Sequence, residues 1–270
     1  MIKAQCLGFL NTPPLWEGKQ FDIQQFEFPS IDLSSFQPEP LPQNIRLGHQ
    51  VEYIFKQLIE HSAQYNILVY NLPIRKEKRT LGEIDFILKD NSTEQLIHLE
   101  LTYKFYIIDS EIADPIHSLI GPNRRDTFFL KKEKIKNVQF PLLHSEQGAN
   151  ALHLFGIDHK VLEHQCCFKT QLFLPYGKKE IIIEGFNKDC IAGFWLRLDN
   201  LNQSIFKEAL FYLPTKAEWI TKPHLEVVWQ SREKAMKDIA NRQKLGSTPM
   251  VWIKHRSKEI TKTFVLTNTY

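Results

Sequence analysis

Apolar residues recur at helical spacing before residue 61 and then give way to runs with strand character. Side chains at positions 47, 51, 54, 55, 58 and 59 fall on one side of a helical wheel, which predicts an amphipathic helix ending near His61. Strand-like runs follow over residues 65–74, 82–89 and 94–108, separated by short polar turns. Such short connections favour an antiparallel meander.

The pattern then predicts further helices and strands. A loop rich in proline and glycine leads to a second helix, which Asp126 is expected to cap. The remaining predicted elements are a helix over 147–157, strands over 166–174, 180–186 and 191–198, a charged helix near 230–245 and two closing strands. The fold class is therefore α/β.

Residues 1–43 have a different character from the rest of the chain. Aromatic and proline-rich pieces alternate there, which predicts an extended arm rather than a regular element. We expect the arm to pack on the body through Phe21, Phe26, Phe28 and Phe36. The predicted organisation is an arm over 1–43, a core over 44–178 and a C-terminal α+β extension over 179–270.

Composition adds few constraints. An apolar content of 43% is that of an ordinary globular protein, and no apolar run reaches the length of a membrane span. The four cysteines form no C-x-x-C pair, which indicates reduced thiols and a cytoplasmic location. A net charge of +3 is too small by itself to indicate nucleic acid.

Acidic side chains share one face of the second and third predicted strands. Because strand side chains alternate, one face holds Glu83 and Asp85 on the second strand and His98, Glu100, Thr102 and Lys104 on the third. Neighbouring strands would then present carboxylates and a lysine on a common surface. Burying unpaired carboxylates is costly, so the cluster requires a cation or a water-filled cleft.

An oxygen-rich site of this kind suits Mg²⁺ or Mn²⁺, held by one or two carboxylates together with water and substrate phosphate. The metal activates water and neutralises charge on a phosphate. A lysine beside it orients the water or stabilises the developing negative charge. The pattern therefore predicts metal-assisted hydrolysis of a phosphodiester bond.

The segments GEIDFIL and HLELTYKFY resemble the PD-(D/E)XK nuclease superfamily. The resemblance implies a restriction-endonuclease-like core of helix, three-stranded meander, helix and strand. It also implies that Asp85, Glu100 and the backbone carbonyl of Leu101 hold the metal, that Lys104 positions water, and that Glu52 adds an acid from the preceding helix.

The superfamily resemblance covers roughly residues 44–175. Together with RLGHQVEYIF and GPNRRDTFFLKKEKI, the same segments resemble more narrowly an uncharacterised bacterial domain-of-unknown-function family along most of the chain. The chain departs from the superfamily at one position. The usual E-x-K spacing places lysine where Thr102 stands, and Lys104 lies on the same strand face, about 6 to 7 Å further along the backbone.

Other interpretations of these residues stay open. A catalytically inactive nuclease-fold protein that binds nucleic acid or a protein partner would also fit, as would an acidic strand face that only makes salt bridges. Glu52 suits an i,i+4 pair with Lys56 on the helix surface. His98 suits a strand residue with a hydrogen-bond partner, and Thr102 suits a β-favouring filler.

The second predicted helix is basic. Its apolar side is expected to include Phe128, Ile135 and Val138, and Lys131 falls between the last two on a helical wheel. Lys131 then binds phosphate or a carboxylate, or extends its amine to solvent from the edge of the stripe. Arg124, Arg125, Lys131 and Lys132 form the candidate nucleic-acid surface. The expected partner is nucleic acid, DNA in preference to RNA, with homodimerisation left open.

Overall fold

The structure is a computed structural model and describes residues 1–178 and 183–267. Its helices are α1 (Ile2–Asn11), α2 (Leu47–His61), α3 (Pro115–Ser118), α4 (Phe128–Lys134), α5 (Phe140–Leu142), α6 (Glu146–His153) and α7 (Arg232–Lys244). Its strands are β1 (Lys19–Gln20), β2 (Ile23–Gln25), β3 (Tyr65–Lys76), β4 (Arg79–Asp90), β5 (Leu96–Ile108), β6 (Leu119–Ile120), β7 (Glu163–Pro175), β8 (Ile191–Arg197), β9 (Leu210–Tyr212), β10 (Met250–Lys254) and β11 (Ile260–Leu266). The fold class is mixed α/β.

All eleven described strands belong to one mixed sheet, whose main order is β3-β4-β5-β7-β8-β11-β10-β9. β3, β4 and β5 form the predicted antiparallel meander, and β7 then pairs parallel to β5. β8 is parallel to both β7 and β11, whereas β10 is antiparallel to β11 and β9. The sheet therefore continues without a break from the predicted core into the predicted extension.

The central strands bury apolar side chains on both faces. On one face α2 packs its apolar stripe, including Ile54 and Phe55, against Phe86 and Leu99. On the other face α4 buries Phe128 against residues of β5 and β7 such as Phe168. Because successive strand residues point to opposite faces, the even-numbered positions of β5 around Glu100 lie on the α4 side.

The first 43 residues contain more regular structure than the sequence predicts. α1 is a helix that buries Cys6 and Phe9, so the expectation of an extended arm without regular elements is wrong there. Phe26 and Phe36 are buried, as predicted, and β2 adds to the edge of β7. Two prolines, at positions 13 and 14, follow the helix directly. Because proline disfavours helix, they led to the prediction of an extended segment in place of this short, weakly amphipathic helix.

The structure also differs from the prediction at the start of α4, at Val138 and over residues 183–186. Thr127 rather than Asp126 caps α4, because the Thr127 hydroxyl accepts from the Leu130 amide. Val138 is 53% exposed and does not belong to the apolar side of the helix. Of the strand predicted over 180–186, positions 180–182 lie outside the described residues, and the remainder forms a turn.

All four cysteines are buried free thiols. Within residues 1–178 and 183–267, no helix combines the length and the apolar character that crossing a bilayer requires.

Candidate active site

Asp85 and Glu100 lie side by side where β4 and β5 separate. The described ladder between these strands ends at Phe86 and Leu99. Immediately beyond it, Asp85 Oδ2 accepts the Leu101 amide hydrogen at 2.9 Å, so a side chain replaces the missing backbone partner. The Glu100 side chain is fully buried, and it lies close enough to Asp85 for its charge to act on the Asp85 carboxyl group.

Burial determines the protonation of this pair. It raises the pKa of Glu100 to about 7, against the opposing effect of the Lys131 charge. Burial, reinforced by the charge of Glu100, also raises the pKa of Asp85 well above its ordinary value. Two carboxylates that share a small desolvated space resist simultaneous ionisation unless a cation joins them. Without a cation the pair therefore retains a proton near neutral pH, and a bound cation would allow both groups to ionise.

Lys131 and Gln139 approach the carboxylates from the α4 side. Lys131 Nζ donates to Gln139 Oε1 at 2.9 Å, and Gln139 Nε2 donates to Glu100 Oε2. Burial lowers the pKa of Lys131, while the charges of Glu100 and Asp85 raise it. The amide thus links the lysine to the acid. Sequence reasoning missed Gln139, because nothing in a helical wheel indicates that it faces the strands.

A π-helical segment, Ile135–Gln139, brings Gln139 to the same side as Lys131. The Phe140 amide donates to the Ile135 carbonyl, five residues back. Lys131 and Gln139 are eight residues apart, and in a regular α-helix their side chains would point in directions about 80° apart around the helix axis. The π turn contains one extra residue, which reduces this angle to about 20°. Pro141 gives a local cause, because its ring would clash with the Asn137 carbonyl in a regular helix.

His98 is fully buried beside Glu100, with Nε2 at 3.4 Å from Glu100 Oε1. Its Nδ1 contacts His164 Nδ1 at 2.8 Å, and the chain of imidazoles continues outward to His144. Burial lowers the pKa of His98 to about 3, so the ring is neutral. His98 thus has the hydrogen-bond partner that the alternative interpretation expects.

Glu52 and Glu83 lie near the pair without joining it. The Glu52 carboxylate accepts from Asn71 at 3.1 Å and contacts His49 Nδ1 at 3.0 Å, rather than the predicted partner Lys56. Glu83 is largely exposed on β4, and its pKa is raised by partial desolvation and by the charge of Glu52. Of the two acids, Glu52 adds negative potential at Asp85.

The amine of Lys104 points away from the carboxylates. Lys104 Nζ donates to Asp126 Oδ2 at 2.6 Å. Asp126 packs over Gly121, where an added Cβ would approach Asp126 Oδ1 to 2.0 Å and displace the Asp126 side chain. Thr102 is buried at the usual lysine position, and its hydroxyl has no partner among the described residues. The lysine that the structure brings to the acids is Lys131.

A basic groove of about 700 Å³ lies next to the acidic pair, and Leu101, Thr102 and Lys131 line it while Asp85 and Glu100 do not. The basic residues that line it are Arg46, Lys104, Arg125, Lys131, Lys134 and Lys216, and Leu101 and Thr102 form its wall next to the carboxylates. Of the predicted nucleic-acid residues, Arg125 and Lys131 line the groove. Arg124 instead contacts Asp109, and Lys132 contacts Glu133. No motif or periodicity in the sequence associates Arg46 or Lys216 with this surface.

The donor set is that of a small two-carboxylate site. Glu100 Oε1 is buried without a hydrogen-bond partner in the described part of the chain, which is the arrangement that a cation would satisfy. Across residues 1–178 and 183–267, no group of three His, Cys, Asp or Glu side chains is placed to hold a metal ion. Any ion here would therefore depend on two side chains, a backbone oxygen and water.

The sequence model of one family, described as a domain of unknown function (DUF1853), matches residues 23–265. No curated protein and no solved structure matches the chain.

Proposed function

The chain belongs to the DUF1853 family of domains of unknown function, and we propose that it is a metal-dependent nuclease acting on nucleic acid, DNA in preference to RNA. The observation that supports this most is the pairing of buried Glu100 with half-buried Asp85, beside Lys131, which itself lines a basic groove. The order of helix, antiparallel meander, helix and parallel strand supports a restriction-endonuclease-like core.

Asp85, Glu100 and the Leu101 carbonyl would hold Mg²⁺ or Mn²⁺. The Leu101 amide donates to Asp85, and the carbonyl of the same residue faces the same neighbouring strand. The chemistry that such an ion supplies is activation of water and neutralisation of phosphate charge. The unpartnered Oε1 of Glu100 is the available ligand atom, since Gln139 occupies Oε2.

Lys131 takes the role that the sequence assigns to Lys104. Its charge acts on both carboxylates, so it lowers the cost of ionising them and lies where negative charge develops on a phosphate. Gln139 fixes the direction of Lys131 and Glu100 together. Lys104, bound to Asp126, lines the groove with the other cations and would contact the flanking phosphates.

A catalytically inactive relative that binds nucleic acid is the second candidate. The observation that favours it is that Gln139 already satisfies one oxygen of Glu100, while the site supplies only two carboxylates. Such a protein would keep the groove and its affinity for phosphates. It would lack measurable affinity for Mn²⁺.

The test compares the wild type with Asp85→Asn/Glu100→Gln on single-stranded, duplex and branched DNA and RNA in the presence of Mn²⁺. We expect cleavage by the wild type and a loss of about 100-fold or more in the double variant. Glu94→Gln is the matched control, since Glu94 is exposed and paired with Lys89. The amide variants remove buried charge without changing size, so they should fold at least as well as the wild type.

Calorimetric titration with Mn²⁺ separates the two candidates. Heat of binding in the wild type that disappears in the double variant supports the nuclease. Binding of DNA without cleavage and without Mn²⁺ affinity would reject the nuclease and establish the inactive form.

A further inference from the structure

A second polar centre lies on the opposite face of the sheet, around the amine of Lys262. This residue of β11 is only 6% exposed. Its Nζ donates to Gln171 Oε1 at 2.8 Å and to the Trp219 carbonyl at 2.7 Å. Gln171 in turn donates to the Tyr103 hydroxyl at 2.8 Å. Tyr103 and Glu100 are three residues apart on β5 and therefore point to opposite faces.

Among the residues that the structure describes, no acid pairs with the charge of Lys262. In the described ranges, 1–178 and 183–267, no salt bridge joins it to a carboxylate. Both of its acceptors are neutral, and an ammonium group has three hydrogens to donate, so one donor remains. A buried cation without a counter-ion is destabilising. Burial accordingly lowers the pKa of Lys262 to about 7.

A second buried lysine, Lys169, shows how groups of the protein itself can stabilise such a charge. Lys169 Nζ donates to the Thr12 carbonyl at 2.6 Å, just beyond the C-terminal end of α1. It also lies over the ring of Phe9, 4.9 Å from the centroid. A helix C-terminus and an aromatic face both favour a cation. Lys169 is therefore explained as a structural lysine, whereas Lys262 is not.

Lys262 lines a cavity of about 490 Å³, which is in the size range of small-molecule sites. α1, β7, β11 and the segment around Ile220 line it. Its apolar lining includes Leu7, Ala192, Ile220 and Ile260, and the charged side chains that line it besides Lys262 are Asp189 and Lys222. α1 approaches this segment so closely that a Cβ at Gly8 would lie 2.1 Å from the Ile220 carbonyl. The cavity is partly open to solvent, and Lys262 is its buried cation.

We propose that this cavity binds a small organic carboxylate, whose charged end pairs with Lys262 and whose apolar body contacts Leu7, Ile220 and Ile260. The ligand supplies a counter-ion that the described residues do not supply, and it accepts the remaining hydrogen of the ammonium group. The apolar part of the lining favours a short hydrocarbon chain next to the carboxylate. The site is independent of the proposed nuclease chemistry, because it lies on the other side of the sheet.

Titration calorimetry with hexanoate, and with hexanamide as its uncharged counterpart, tests the proposal. We expect hexanoate to bind the full-length protein at least about tenfold more tightly than hexanamide. Lys262→Met, which keeps the length and removes the charge, should weaken hexanoate binding by about tenfold or more and leave hexanamide nearly unaffected.

Lys222→Met is the matched control, since Lys222 is an exposed lysine at the rim of the same cavity. It should change hexanoate affinity by less than about threefold. Equal binding of hexanoate and hexanamide to the wild type would overturn the proposal even if Lys262→Met failed to fold. So would the absence of hexanoate binding up to about 10 mM, or a larger effect from Lys222→Met than from Lys262→Met.

Discussion

At the scale of single residues, the candidate active site depends on one amide. Gln139 accepts from Lys131 and donates to Glu100, so it orients a cation and an acid at once. Removing it would leave a buried carboxylate oxygen and a buried amine without partners, which is more costly than the loss of two ordinary hydrogen bonds. The sequence allowed Asp85 and Glu100 to be identified as neighbours from strand alternation. It did not indicate Gln139, whose contact is made across eight residues of irregular helix.

The protonation of Glu100 gives a prediction at this scale. Its folded-state pKa is raised by burial to about 7 from an ordinary value near 4.5, so the native state binds the proton more tightly than the unfolded chain. The resulting stability is fully present at low pH and is lost as the pH rises through about 7. Glu100→Gln, which cannot ionise, should therefore be more stable than the wild type by about 1 to 3 kcal/mol at pH 8 and by a smaller amount at pH 5, where a glutamate of ordinary pKa is already largely ionised in the unfolded chain.

Urea unfolding of both proteins between pH 5 and pH 8, without divalent metal, measures this difference. Glu94→Gln serves as the control, because Glu94 is exposed and its change should not vary with pH in this way. A constant offset between Glu100→Gln and the wild type across the range would contradict the raised pKa.

At the scale of elements, the spacing of apolar residues correctly predicted most of the long helices and strands. α2, the meander β3 to β5, β7, α7 and the two closing strands all follow from apolar spacing. Apolar spacing did not predict two features. α1 is short and weakly amphipathic next to two prolines, and the π segment Ile135–Gln139 violates the helical period on which a wheel depends. That violation is why Val138 is exposed although the wheel placed it inside.

The helix presents Lys131, and not Lys136, to the acids, and the consequence is testable. Lys131 faces the acids, whereas Lys136, five residues on, binds Asp22. Lys131→Met should lower the single-turnover cleavage rate by about 100-fold and weaken DNA binding by less than about tenfold. Lys136→Met should alter neither quantity appreciably. Equal losses in the two variants would show that the helix contributes only general positive charge.

At the scale of the whole molecule, long-range packing assembles what no local pattern reveals. The groove collects Arg46 from the start of α2, Arg125 from the loop before α4 and Lys216 from far along the chain. β7 supports β5 along its length, while its other edge pairs with β2 in its first half and with β8 in its second half. The character of the sequence changes near residues 43 and 178, and domain boundaries were predicted there. Hydrogen bonding in the sheet does not stop at either position.

This continuity predicts that residues 44–178 do not form a stable unit alone. The fragment would expose both pairing segments of the β7 edge and would lose Cys6, Phe9 and Phe26 from the core against which α2 packs. Unpaired strand edges promote association, and three missing core side chains cost about 2 to 5 kcal/mol each, comparable in total to the whole stability of a domain. We expect the isolated fragment to aggregate or to show no cooperative unfolding by circular dichroism, in contrast to the full chain. A soluble fragment with a sigmoidal transition and wild-type Mn²⁺ affinity would instead establish residues 44–178 as an autonomous nuclease core, with the arm and the extension as additions to it.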